Sequence, residues 1–390
     1  MKTFRHSVLR EIRRFGHDRT LLIMTIVIPI ALSLLYIVMF RQGAVENVPV
    51  VVCDKDLTPT SQTLKRMVNS SPALEIISTN SSIEESRHAL AKGQVCAIIY
   101  IAEGFEGKIM GGGGAEVAVW VDGTFITKSS MVRKTMTTIL ETFKVGISMQ
   151  KLQAQGMSQA QAYTKSYPIS LHSHVLYNPF ASYAYYLLPA LLPLVLIIMV
   201  SLTASYVIGS EFRYGTSAQW IEEAGGSITR AVASKLAPYL LIFVVIGIFM
   251  STLLYRFLGL PIQSEAIGVL ILSNLFLVMA YLCLSIIFVA LTSNMRFSLS
   301  ISAAYTIAAF SFAGLTFPHM AMYKAIATLS TLFPYTYYID IFVQQTLKGA
   351  PMGRSLGDLG VMGLFILLSI AFLPMLKRKA LGGAKYHGKL

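Results

Sequence analysis

Few side chains in this sequence are spaced for chemistry. His172 and His174 alternate along a β-rich run and so share one face, as a metal pair would. No acid or cysteine stands close enough in sequence to complete a ligand set, so they read as surface histidines. Gly111–Gly114 has the glycine density of a phosphate loop but lacks the lysine and hydroxyl of GxxxxGK[ST], and that motif occurs nowhere else. Cys53, Cys96 and Cys283 show no CxxC spacing. Cys283 falls in an apolar run and is expected to pack; Cys53 and Cys96 read as two thiols or as one disulfide. No Ser/His/Asp or Cys/His pattern stands out. The chain is therefore expected to have no catalytic residue and no metal site, and to bind no cofactor. Glu211 is a different case. It closes a long apolar run, and a carboxylate at a helix C-terminus costs about 0.3–1 kcal/mol against the dipole. A compensating cation is expected, from Arg213, Arg230 or a partner protein, and Gly215 permits a tight turn before a short helix.

The elements that must position these residues are mostly apolar. The chain has 390 residues, 54% hydrophobic and 13% charged, with a mean hydropathy of +0.62. Soluble domains are about a quarter charged. Apolar runs lie at 20–40, 184–209, 236–258, 267–292, 297–317 and 358–376, each long enough to cross roughly 30 Å of hydrocarbon. Residues 1–19 resemble the basic start of a signal peptide, but the run that follows is too long and has no small-x-small cleavage site. Between the last two runs, Pro318, Pro334 and Pro351 break a moderately apolar stretch. It is expected to form short re-entrant helices over 318–350, with a seventh span at Ala325–Leu347 as the alternative. The expected fold is an α-helical membrane protein with six transmembrane helices plus re-entrant helices and an inserted extracytoplasmic α/β domain. Its parts are an interfacial helix (1–19), a first span (20–40), the α/β domain (41–180) and five further spans (181–390), with a loop at 210–235 and a basic tail.

Charge sets the orientation. The termini and the loops at 210–235 and 293–296 carry fifteen basic and five acidic residues; the insert at 41–183 is nearly balanced, thirteen against eleven. Short basic segments stay in the cytoplasm, so both termini are expected there, in a bacterial inner membrane. Most of the net charge of +13 is then topological, and no nucleic-acid partner is expected.

Within the insert, Val48–Cys53, Leu74–Ser78, Val95–Ile101 and Val117–Val121 are strand-like. Helical segments fit at Ser61–Asn69, Ile83–Ala91, Phe105–Met110 and Thr127–Gln155. A last extended run at Ile169–Leu176 returns toward the membrane. This is a small α/β domain, expected to be of mixed sheet. At the N-terminus Phe4, Val8, Ile12 and Phe15 recur at helical spacing among arginines, which suits either a lipid-interface anchor or a helix contacting a partner. None of the six runs has a charged residue or histidine near its middle, which counts against an ion-coupled carrier.

Residues 211–239 add a resemblance. Glu211-Phe-Arg213-Tyr-Gly215-Thr216, followed after about eighteen residues by Ser-Lys235-Leu-Ala-Pro238-Tyr239, resembles the first cytoplasmic loop of type-2 ATP-binding cassette exporter permeases. Tyr177-Asn178-Pro179, Gly314-Leu-Thr-Phe317-Pro318 and Phe333-Pro334-Tyr335-Thr336-Tyr337-Tyr338 fall in the matching order. The resemblance implies that Glu211, Arg213, Gly215, Thr216 and Lys235 belong to a coupling helix meeting an ATPase subunit. It implies that Phe317, Pro318, Pro334 and Tyr335 belong to the re-entrant or gating segment. ATP and magnesium would then be held by the partner, not by this chain. The implied partners are cytoplasmic ATPase subunits, a second permease copy or paralogue, membrane lipid and, in a double-membraned cell, a periplasmic adaptor. The substrate, a drug or lipid, would pass between two permeases, lined partly by the first, second and fifth spans. On this reading Glu211→Lys leaves insertion and assembly intact but uncouples transport. The rival is a membrane sensor or scaffold whose external domain binds a ligand without transport.

Overall fold

The basic N-terminal run folds as helix α1 (Lys2–His17), and Asp18 ends it. The Asp18 carboxylate accepts from the backbone amides of Thr20 and Leu21 at 2.9 and 3.3 Å, capping α2 (Arg19–Leu22). A π turn at Ile23–Val27 leads into α3 (Ile28–Met39). The wide turn falls just ahead of Pro29, which has no amide to donate and would crowd the carbonyl four residues back in a regular helix. Together these make one apolar helix, Arg19–Met39. The computed structural model describes residues 2–41, 46–79, 82–167, 177–178, 182–260, 264–315 and 317–382. It divides into two units, Met1–Arg41 with Tyr183–Leu390, and Gln42–Ser182.

The second unit is a four-stranded mixed sheet with helices. Its elements run β1 (Val48–Asp54), α4 (Pro59–Asn69), β2 (Leu74–Thr79), α5 (Ile83–Ala91), β3 (Ala97–Ile101), α6 (Phe105–Met110), β4 (Val117–Val121), α7 (Ile126–Ala154) and α8 (Gln159–Ser166). The strand order is β2-β1-β3-β4, with β1 parallel to both neighbours and β4 antiparallel to β3. Central β1 is buried on both faces, which is why it reads as a valine-rich apolar run rather than an alternation. Val48, Val50 and Val52 face a core shared with Leu64, Val68, Val132 and Met136; Val51 and Ile98 face Ala89 and Leu90 of α5. At the carboxyl ends of β1 and β3, where open α/β sheets bind ligands, the chain fills the crevice itself. Asp56 accepts from the amides of Phe105 and Glu106 at 2.9 and 3.1 Å, and the Ser61 hydroxyl donates to Asp54 at 2.9 Å. Cys53 and Cys96 are free thiols. The extended run at 169–176, with His172 and His174, lies outside the described residues.

The first unit continues with α9 (Tyr183–Arg213), α10 (Ser217–Glu223), α11 (Ile228–Leu258), α12 (Ser264–Thr292), α13 (Met295–Phe312), α14 (Lys324–Ser330), α15 (Pro334–Phe342), α16 (Gly353–Ile370) and α17 (Leu373–Leu381). Five helices are long and apolar enough to cross a membrane: Arg19–Met39, Tyr183–Arg213, Ile228–Leu258, Glu265–Thr292 and Gly353–Leu381. The sequence led us to expect six. The run at 297–317 instead yields α13, 18 residues long, whose Ser298, Ser300, Ser302, Thr306 and Ser311 dilute its hydropathy. Three of those hydroxyl residues, Ser298, Ser302 and Thr306, are buried, and Ser302 meets Ser205 of α9 at 2.7 Å. Ser201 and Ser285 join α9 to α12 at 3.2 Å. Small polar residues let apolar helices approach and bond. At the α11–α12 crossing the Asn274 amide donates to the Val244 carbonyl at 3.1 Å beside Gly247. The stretch at 318–350 is broken into a 3-10 turn at His319–Ala321, α14, α15 and a π turn at Val343–Leu347.

Candidate functional site

The described residues at 210–239 fold back on α1 and enclose a buried ion network. Glu211 lies one turn from the end of α9. Gly215, in the left-handed region at φ +72°, reverses the chain into α10, and Gly225 and Gly226 at φ +72° and +73° reverse it again into α11. Ser227 caps that helix, accepting from the Arg230 amide at 3.4 Å. Two turns into α11, Lys235 points back toward α9 and α1.

Lys235 is 2% exposed. Its ammonium donates to Glu211 Oε1 at 2.5 Å and to Glu11 Oε2 at 3.2 Å, and lies 5.2 Å from the centre of the Trp220 ring. Two carboxylates and an aromatic face, from α1, α9 and α10, thus surround one cation. Tyr239 donates its hydroxyl to Glu11 Oε1 at 2.9 Å, and Thr216 donates to Glu211 Oε2. Arg14 adds a second cation, 3.6 Å from Glu211 and 3.9 Å from Glu11, with a hydrogen bond to Ser210 at 2.8 Å. Arg10 lies 3.9 Å from Glu211 and pairs with Glu223 on α10. Each buried charge costs several kcal/mol to desolvate, so the groups stay inside only because each answers another. The result is a clamp: α1, α9, α10 and α11 are tied to one another through charged side chains.

Four of the five residues expected in a coupling helix sit at this clamp or form its turn: Glu211, Lys235, Thr216 and Gly215. Arg213 does not. It is exposed and stacks over Tyr214 at 5.5 Å. The expected partners of Glu211, Arg213 and Arg230, are therefore replaced by Lys235 and Arg14. Two residues along a helix turn Arg213 to the opposite side from Glu211, whereas Lys235 arrives from the next helix. The expected effect of Glu211→Lys changes too, since a third cation beside Lys235 and Arg14 would attack the fold itself. On α1 the apolar stripe divides. Phe15 packs edge-on against Tyr239 at 6.0 Å and Val8 is half-buried, while Phe4 and Ile12 face outward at 39% and 48% exposure. The face turned inward carries Ser7 and Glu11, both buried. The residues expected in a re-entrant or gating segment also separate. Phe317 and Pro318 are exposed, whereas Pro334 opens α15 and Tyr335 is fully buried, donating to the Ala190 carbonyl at 2.6 Å.

Sequence reasoning missed Glu11, Arg10, Arg14, Glu223 and Tyr239 as members of the network. One signal was present: Glu11 is the single acid in an otherwise basic helix. Among the described residues no group of three or more His, Cys, Asp or Glu is placed to hold a metal ion.

A helical membrane unit whose cytoplasm-type basic segments converge on a buried clamp, interrupted by a mixed α/β insert, defines a multi-pass transporter component. Residues 19–373 match the family model described as ABC-2 family transporter protein, and the chain belongs to that family. It is accordingly a membrane permease component of an ABC transporter, with the ATPase activity of such systems in a separate subunit. Among solved structures, a crystal structure of a domain assigned to an ABC type-2 transporter from Thermotoga maritima MSB8 is 20% identical, with a TM-score of 0.23, covering 26% of this chain and 68% of that one. No curated protein matches the chain.

Proposed function

We propose that the chain is the permease subunit of an ATP-driven exporter that moves a hydrophobic or amphipathic substrate, a drug or lipid, out of the cytoplasm or inner leaflet. The observation that carries this reading is the Glu11–Lys235–Glu211 clamp. It makes exposed α10 the tip of a lever whose arms are the long helices α9 and α11, so a push on α10 by an ATPase is passed into the membrane unit. On this reading both termini and α10 are cytoplasmic, in a bacterial inner membrane, and the α/β insert is external. Helix α13 is the sixth crossing, at about 27 Å for its 18 residues, with its serine face inward and Phe297 and Ile307 toward lipid. Two permeases, identical or paralogous, pair with two ATPase subunits that supply ATP and magnesium. In a double-membraned cell a periplasmic adaptor could meet the insert.

Purification with the ATPase subunit, then efflux from vesicles holding the complex, tests this. ATP-dependent efflux of an amphipathic dye is expected, with none when the ATPase is left out. Equal efflux without the ATPase would refute the exporter reading, and ligand binding without any efflux would favour a sensor.

A further inference from the structure

The insert contains a cavity of about 500 Å³, within the range of roughly 300–1,000 Å³ that holds small ligands. One wall is α7; the other is α6, the Gly112–Gly114 run and the start of β4. The floor is apolar. Phe105 and Phe143 stack with centroids 6.0 Å apart, and Leu140 and Ile147 extend that stripe at helical spacing along α7. Lys144 and Lys151, two turns apart on the same helix, stand at the rim. Lys151 donates to the Ile109 carbonyl and keeps two further protons; Lys144 is exposed. No carboxylate lines the cavity, and among the described residues neither lysine is in an ion pair. The glycine run has no side chains to close the mouth. It lacks the residues of a phosphate loop, yet it does leave an apolar hollow open beneath two cations.

We propose that this cavity binds a single-chain anionic amphiphile, its tail on the Phe105, Leu140, Phe143 and Ile147 floor and its carboxylate or phosphate headgroup between Lys144 and Lys151. Charge complementarity selects the headgroup: the rim offers positive charge only. The small-ligand volume selects one chain rather than two. The site goes beyond the permease reading and does not depend on it, since it lies wholly in the insert.

The test uses the full chain in phosphatidylcholine nanodiscs with a diazirine-bearing palmitate, followed by peptide mapping of the labelled residues. Labels are expected within 105–117 and 140–151. Fatty acids of increasing length should compete, each added methylene tightening binding roughly fourfold until the floor is filled. Palmitate and palmitoyl lysophosphatidate serve as the two headgroup competitors; competition by either supports the site and says which headgroup it takes. Hexadecyltrimethylammonium, of similar length and opposite charge, should compete at least tenfold less well. Lys144→Glu, on an exposed side chain, should cut labelling about tenfold, and Leu140→Trp should fill the floor and abolish it. Unchanged labelling in Lys144→Glu, equal competition by the cationic amphiphile, or labels only outside the insert would overturn the proposal. Any of these would leave the export reading standing, because efflux and its ATPase dependence are measured separately.

Discussion

Lys235 is the residue on which most of the membrane unit's buried charge depends. Removing it leaves Glu11 and Glu211 facing each other with the more distant Arg14 and Arg10 as their cations, and an unanswered buried charge typically costs about 3–5 kcal/mol. Lys235→Met is therefore expected to lower the melting temperature of the detergent-solubilised protein sharply. Adding Glu211→Gln should recover a large part of the loss, because the neutral amide no longer needs the ammonium. A double variant as unstable as the single one would show that Lys235 acts by packing on Trp220 instead. The same logic at the surface of the insert concerns Asp56. Burial acts to raise its pKa, but hydrogen bonds from Thr58 and from the Glu106, Phe105 and Gly104 backbone outweigh it and hold the carboxyl below its ordinary value. A depressed folded-state pKa stabilises above the unfolded-state value, about pH 4, and that contribution fades as pH falls through the folded-state pKa. Asp56→Asn should thus melt at a lower temperature than wild type at pH 7, and lose less than wild type between pH 5 and pH 2. Circular dichroism of the two proteins across that range checks it. These partners were not legible in the sequence for a simple reason. Glu11 and Lys235, or Asp56 and Phe105, are far apart along the chain, and local spacing rules reach only one helical turn.

At the scale of elements, the α11–α12 crossing depends on a glycine. A Cβ built on Gly247 would lie 2.2 Å from Asn274 Oδ1, with the other two amide atoms at 2.8 Å. The helices pack that closely only because position 247 has no side chain. Gly247→Ala should push Asn274 off the Val244 carbonyl and cost about 1–3 kcal/mol by overpacking; Asn274→Ala in the same chain should restore most of it. A melting series of the two singles and the double would read the coupling directly. Elements themselves were more legible than their contacts. The strands and the helices α4 to α7 of the insert were readable within a few residues, because valine-rich runs and capped amphipathic segments report local structure. Helix α8 was not anticipated although its signal was there: Ser158 and Gln161 form a reciprocal capping box, overlooked because the segment after it is only weakly apolar. Helix α13 shows where hydropathy alone reads poorly. Its length suits a span, but burial of its serine face against α9 is a tertiary fact that hydropathy registers as weakness.

The whole molecule is organised by one asymmetry, basic short segments against a nearly neutral insert, and its orientation in the membrane can be tested with the chain's own chemistry. Among the three cysteines, Cys53 and Cys96 are buried in the insert and Cys283 is half-buried in α12. Burial also pushes the Cys53 thiol up, lowering its thiolate fraction and so its reactivity. The native protein should therefore react slowly with a membrane-impermeant maleimide, and new exposed cysteines will stand out. Gly114 suits the position expected to be external: its backbone is not left-handed, and a Cβ there meets nothing within 4 Å. Ala218 on α10 is exposed, and it adjoins the clamp without belonging to it. In intact spheroplasts Gly114→Cys should label rapidly and Ala218→Cys only after the membrane is permeabilised. The positive-inside rule demands that order, because Arg10 of α1 pairs with Glu223 of α10 and Lys377 of α17 donates to the Gly226 carbonyl just after it. The lever requires it as well: α10 can receive work from an ATP-driven partner only where ATP is present. Labelling of Ala218→Cys in intact spheroplasts would place α10 outside, away from any ATPase. The clamp would then be a structural anchor for α1, and the coupling role of Glu211 and Lys235 would fall with the topology.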